Sequence, residues 1–166
     1  MPIEKLKTQD EMAEIIKSLK NQGKRVVLAN GCFDIFHGGH ISYLESARSL
    51  GDVLVVALNS DTSIQKLKGK GRPIIPEQER AELLSEMEAV DYIVLFDEET
   101  CDKVLERLRP DIHAKGTDYT VETVPERETA RRLNIETRIV GDPKENATRD
   151  IISKVLRLYG KNKSKV

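Results

Sequence analysis

The chain is poor in aromatic residues, at 4% with no tryptophan, and it has only two cysteines, Cys32 and Cys101. Two thiols without a CxxC spacing support neither a disulfide framework nor a cysteine zinc site. Long apolar runs are also missing: residues 53–58 are typical of the longest, whereas a membrane-spanning helix needs roughly 20 residues. Residues 1–5 lack the apolar stretch of a secretory signal, so the expected address is the cytoplasm, with no membrane partner. Neither sign of charge dominates, with 27 basic and 28 acidic side chains and a net charge of −1. Without a basic stripe or an aromatic platform, nucleic acid is not an expected partner. What remains, 166 residues with 39% apolar and 33% charged, has the size and composition of one soluble globular domain.

Helical and strand signals alternate along the chain. Thr8 and Glu11 form a capping-box pattern ahead of Met12, Ile15, Ile16 and Leu19, which predicts a helix over 8–22 stopped by Gly23. A continuous apolar run at 25–29 reads as a strand buried on both faces. A glycine-bearing loop at 30–37 leads to a helix around Ile41, Leu44 and Ala47 that ends near Gly51, then to a second buried strand at 53–58. Residues 61–67 predict a short helix, 68–73 a basic loop, and 77–88 a helix begun near Pro76. Further strands are expected at 92–96, 112–115 and 136–140. Helices are expected at 100–108, from a Thr123/Glu126 capping box to Leu133, and from a Thr148 cap to Tyr159, before a frayed tail at 161–166. This alternation predicts an α/β fold, a Rossmann-like three-layer α/β/α domain with a five-stranded parallel sheet and a core over 24–158. In such sheets ligands bind beyond the carboxyl ends of the strands, which points to the loops after the first, second and fourth strands.

The loop after the first strand reads Asn30-Gly31-Cys32-Phe33-Asp34-Ile35-Phe36-His37-Gly38-Gly39-His40 and holds two of the three histidines at a helix start. Imidazoles and free backbone N–H groups converge there, and the helix dipole favours negative charge, so the arrangement suits a polyphosphate. Glycines at 38 and 39 let a ligand approach the backbone. The alternative is that His37 and His40 only cap the helix. A metal site fits less well, because helical zinc ligands are usually spaced i, i+4 with an acidic partner.

This stretch resembles the GxFDxxHxGH signature of the HxGH nucleotidyltransferases in the cytidylyltransferase-like superfamily. Leu58-Asn59-Ser60-Asp61 resembles the end of that family's second strand. Residues 67–74 (Leu-Lys-Gly-Lys-Gly-Arg-Pro-Ile), Glu79-Arg80 and Lys115-Gly116-Thr117-Asp118-Tyr119 resemble the adenylyltransferase domain of the enzyme that makes ADP-heptose. The resemblance covers about residues 24–158 and implies in-line attack of a phosphate monoester on the α-phosphorus of a nucleoside triphosphate, with loss of pyrophosphate. Orientation and charge neutralisation are the catalytic demand, and a monoester dianion needs no general base.

By that resemblance His37, His40 and Lys68 are the expected catalytic residues, with Lys66 and Lys70 near enough to share the role of Lys68. Asn30, Gly31, Phe33, Gly39, Arg80, Lys115, Asp118, Thr148 and Arg149 are expected around the nucleotide, and Asp34 and Asp61 around the acceptor. Mg²⁺ is expected to accompany ATP without a named protein ligand, and a homodimer is implied. Cys32 and His113 read as packed structural residues. One departure stands out: relatives carry a serine- and threonine-rich motif before the last helix, and here Ala147 and Arg149 flank a single Thr148. Arg149 is able to compensate by forking onto phosphate oxygens. The leading reading is an adenylyltransferase for a sugar 1-phosphate, D-glycero-D-manno-heptose 1-phosphate, in carbohydrate metabolism that includes lipopolysaccharide biosynthesis. A glycerol-3-phosphate cytidylyltransferase and a nucleotide-binding module without turnover are the alternatives.

Overall fold

The computed structural model describes residues 3–143 and 147–160. Five strands, β1 (Val26–Gly31), β2 (Val53–Asn59), β3 (Tyr92–Phe96), β4 (Ile112–Lys115) and β5 (Glu136–Ile139), form one sheet in the order β3-β2-β1-β4-β5. Every pairing is parallel, as the alternation of helix and strand requires. β1 and β2 are apolar without alternation because both faces are covered. Val26, Leu28, Val55 and Ala57 pack on one face against helix α1 (Gln9–Asn21) and helix α5 (Asp102–Leu108). Val27, Ala29, Leu54 and Val56 pack on the other against α2 (Gly38–Arg48) and α4 (Glu77–Ser85). These layers make the Rossmann-like α/β/α sandwich. Chain order reverses direction between β1 and β4, so the crevice beyond their carboxyl ends is where this topology places a ligand.

The capping box of Thr8 and Glu11 forms and starts α1. The one expected at Thr123 and Glu126 does not. Thr123 Oγ1 accepts from the N–H of Thr120, while the Glu126 carboxylate turns inward to the N–H of Cys101, and α6 (Arg127–Arg132) begins after it. Long-range pairing has overridden the local pattern. Helix α3 (Asp61–Lys68) takes in Lys68, which therefore ends a helix rather than opening the basic loop. Helix α4 stops at Ser85, three residues short of the expected end, and α5 starts at Asp102 rather than at 100. Helix α7 (Thr148–Tyr159) has Ala147 at the cap, so Thr148 is its first residue, and Asp150 Oδ2 accepts from the N–H of Ala147 at 2.8 Å. The expected frayed tail, together with Glu145 and Asn146, lies outside the described residues. Among the described residues no helix is long and apolar enough to cross a membrane.

Candidate active site

Helix α2 begins at the end of the β1 loop, and its start is built by the two histidines. His37 is the cap residue, in extended conformation, and its Nδ1 accepts from the N–H of Gly39 at 3.1 Å. His40 Nδ1 accepts from the N–H of His37 at 3.3 Å, and the two rings stack with centroids 3.9 Å apart. With both Nδ1 atoms accepting, the ring proton of each sits on Nε2, which makes each imidazole a donor. The capping alternative and the anion-binding one are thus compatible, since the cap fixes the tautomer that an anion needs.

Below the histidines lies an aromatic floor. Phe33 is buried and packs against Phe36, His40 and Tyr43. The structure places it in the core beneath His40. A Cβ at Gly31 would come within 3.1 Å of the Phe33 ring, so the glycine permits this packing. Phe33 and Ile35 both have left-handed backbone, with φ of 48° and 47°, a conformation that costs about 1 kcal/mol or more per non-glycine residue. Asp34, between them, holds the loop in place. Tyr43 Oη donates to the carbonyl of Ala114 at 2.7 Å and fixes α2 over β4.

The Asp34 side chain is 1% exposed and accepts from Arg72 Nε at 2.9 Å and from the N–H groups of Ile74 and Ile75, each at 2.9 Å. Burial alone would raise its pKa, but these donors outweigh burial and hold the carboxyl below the usual range. Arg80 is also enclosed. Its Nε donates to Ile75 O, Nη1 to Cys32 O and Asn59 O, and Nη2 to Asp61 Oδ1, all within 2.8 Å. Asp61 further ties α3 to α4 by exchanging bonds with Glu77. Asp34, Asp61 and Arg80 thus lace the signature loop to the segment between α3 and α4. Lys66, Lys68 and Lys70 are exposed, and Lys66 Nζ reaches Asp97 O at 3.1 Å. Lys68, Arg80 and Arg72 all act electrostatically on Cys32, whose pKa burial raises against them, so three cations surround this loop.

At the carboxyl end of β4 a polar cluster lies on the α5 side of the sheet. Asn30 Oδ1 accepts from His113 Nε2 at 2.8 Å and from Lys115 Nζ at 3.3 Å. Lys115 is 6% exposed, sits 3.9 Å from Glu126 Oε2, and lies 4.7 Å from the centre of the Tyr119 ring. Burial and then the Lys115 charge push His113 down to about 3, so it stays neutral. Asp118 is exposed on the turn that follows. Sequence reading missed Glu126, because its local pattern is that of a helix start and nothing in it signals pairing with β4.

The α2 start opens on a groove of about 850 Å³, with His37, Gly38 and Gly39 on one wall and Ile151, Lys154 and Val155 of α7 on the other. Thr148 Oγ1 donates to the carbonyl of Asp34 at 2.7 Å and so joins α7 to the signature loop. Arg149 points outward, 3.9 Å from Asp150 and almost fully exposed, so the structure does not bring it to the groove. Among the described residues no three His, Cys, Asp or Glu side chains gather as in a metal cage. A smaller depression, of about 360 Å³, lies beside Arg25 and Asp111 at the amino ends of β1 and β4 and holds no histidine.

A family model described as cytidylyltransferase-like matches residues 28–158. The bifunctional protein HldE of Geobacter sulfurreducens is 47% identical over 156 residues, which are 94% of this chain and 32% of that protein. The protein of the same name from Helicobacter pylori is 44% identical over 148 residues, 89% of this chain and 31% of that one. The chain therefore spans about a third of the length of the curated relatives it matches. Among solved structures, a lipopolysaccharide core biosynthesis protein from Thermoplasma volcanium matches with a TM-score of 0.62 at 36% identity, covering 75% of this chain and all of that one. A pantoate-beta-alanine ligase from Francisella tularensis matches with a TM-score of 0.61 at 17% identity over 86% of this chain and 68% of that one, a likeness of fold.

Proposed function

The chain belongs to the cytidylyltransferase-like family and is a nucleotidyltransferase, and we propose that it transfers the adenylyl group of ATP to D-glycero-D-manno-heptose 1-phosphate, giving ADP-heptose and pyrophosphate. The observation that carries this reading is the start of α2, where His37, with the imidazole of His40 stacked on it, and the helix N-terminus line a groove of nucleotide size. Three further features support it: the KGxGRP and KGTDY stretches, the identity with the HldE proteins, and the likeness to a lipopolysaccharide core biosynthesis protein.

In the proposed reaction a phosphate oxygen of the sugar 1-phosphate attacks the α-phosphorus. The bond from that phosphorus to the bridging oxygen of the β-phosphate breaks, and its electron pair leaves with pyrophosphate. His37 on the groove wall and His40 stacked on it donate to the phosphate oxygens as charge builds, Lys68 adds a cation from the signature-loop side, outside the groove lining, and Ile151 and Val155 offer an apolar wall for the base. We assign Mg²⁺ to the triphosphate: the groove lining carries two carboxylates, Asp142 and Asp150, and among the described residues no three His, Cys, Asp or Glu side chains gather, which fits an ion held mainly by phosphate oxygens. When bound it neutralises phosphate charge and orients the leaving group. A homodimer is supported by the uncovered apolar side chains Leu156 and Tyr159 on α7, which lie outside the groove lining.

Phosphorus-31 NMR of the protein with ATP, Mg²⁺ and the heptose 1-phosphate tests the reading. Pyrophosphate and a sugar nucleotide should grow in equal amounts; unchanged ATP would reject this substrate pair.

A further inference from the structure

Arg72 received no role from the sequence, yet its guanidinium is set as a binding group is set. Nε donates to Asp34 Oδ2 at 2.9 Å, and this is the one hydrogen bond it makes among the described residues. Nη2 is enclosed with no partner among the described residues, while the side chain as a whole keeps 17% exposure. Buried N–H groups are nearly always satisfied, so an anchored guanidinium with an unmet N–H marks the position of an anion that completes it. Arg80 shows the contrast: its guanidinium gives four bonds to protein oxygens, and each of its three nitrogens has a partner.

The location selects which anion. Asp34 faces two ways, its carboxylate toward residues 72–75 and its carbonyl toward Thr148 of α7. The groove between α2 and α7 is lined by none of residues 68–76. Arg72 therefore lies across the signature loop from the groove assigned to the nucleotide, so an anion held there would belong to the second substrate. We infer that Arg72 binds the phosphate of the acceptor, held in register for attack by its ion pair with Asp34. This rests on the proposed reaction for the name of the acceptor, though the recognised chemistry is a phosphate monoester of any kind.

Two variants and two readouts test it. Arg72→Gln should raise KM for the heptose 1-phosphate roughly tenfold or more and leave KM for ATP within about twofold. Arg72→Lys keeps the pair with Asp34 and the fold but loses the planar fork, so a several-fold rise is expected. Calorimetric titration with inorganic phosphate, with α,β-methylene-ATP already filling the nucleotide groove, needs no turnover. Wild type should bind phosphate, and Arg72→Gln should lose about tenfold in affinity. An unchanged acceptor KM in Arg72→Lys, a rise confined to ATP, equal phosphate affinity in the two proteins, or no phosphate binding by wild type would each overturn the inference. Phosphate binding that depends on Arg72 without turnover of the heptose phosphate would instead reject the substrate and leave the role of Arg72 standing.

Discussion

The hydroxyl of Thr148 donates to the backbone carbonyl of Asp34 at 2.7 Å, across 114 positions of sequence. A hydroxyl proton committed to a carbonyl is not available to a phosphate, so in this arrangement Thr148 acts on the nucleotide by holding α7 against the signature loop. Thr148→Val should cost about 1 kcal/mol of stability and raise KM for ATP several-fold, whereas Thr148→Ser should match wild type. Thermal unfolding and steady-state kinetics check both, and a Val variant with wild-type KM would remove the tether from the account.

Arg80 resembles a residue that relatives turn toward the nucleotide, but here every bond it makes goes to the protein. Arg80→Lys cannot reproduce four bonds in three directions, and a loss of about 3 kcal/mol or more is expected, a fall in Tm on the order of 10 °C. A stable Arg80→Lys protein with a raised KM for ATP would return Arg80 to the nucleotide.

Stability should depend on His113 in weakly acidic solution. Its folded pKa, pushed to about 3, lies below the free value of about 6.5. The unfolded chain therefore binds the extra proton between those limits, and the contribution is complete above pH 6.5 and lost as pH falls. His113→Gln keeps a donor for Asn30 and should flatten the decline between pH 6.5 and 5 by up to roughly 1.4 kcal/mol per unit. Denaturant unfolding across that window checks it. Parallel curves for the two proteins would show that His113 takes up no proton on unfolding.

His40→Ala removes a donor and unstacks His37 without opening the core widely, since His40 is only half-buried. Turnover should drop by two or more orders of magnitude, with a smaller change in KM for ATP and a near-native Tm. Unchanged kcat/KM would take the signature histidines out of the mechanism.

Where a segment's structure follows from its own residues, the sequence was sufficient. β3 and β4 occupy the expected residues 92–96 and 112–115: the first is a continuous apolar run of five residues, and the second lies between Pro110 and the turn at Gly116. That His37 and His40 build the start of α2 was legible for the same reason: a glycine-flanked pair at a helix start is a local feature. Asp34 and Arg80 were harder to read, because the partners of their side chains lie up to 48 positions away and only the packed fold shows both to be enclosed. Glu126 carries a capping pattern that its own neighbourhood would satisfy, and the draw of Cys101 N–H and Lys115 is visible only once α5 and β4 are side by side. The Thr148 hydroxyl was placed toward phosphate by its motif and is claimed instead by a carbonyl that the motif does not contain.

The most direct test of the central claim is pyrophosphate release with Mg²⁺, crossing ATP, CTP, GTP and UTP against the heptose 1-phosphate and glycerol 3-phosphate. Release confined to ATP with the heptose phosphate is the expected result. Release confined to CTP with glycerol phosphate would contradict it and make the protein a polyol-phosphate cytidylyltransferase, and silence in every combination would contradict turnover of these substrates altogether.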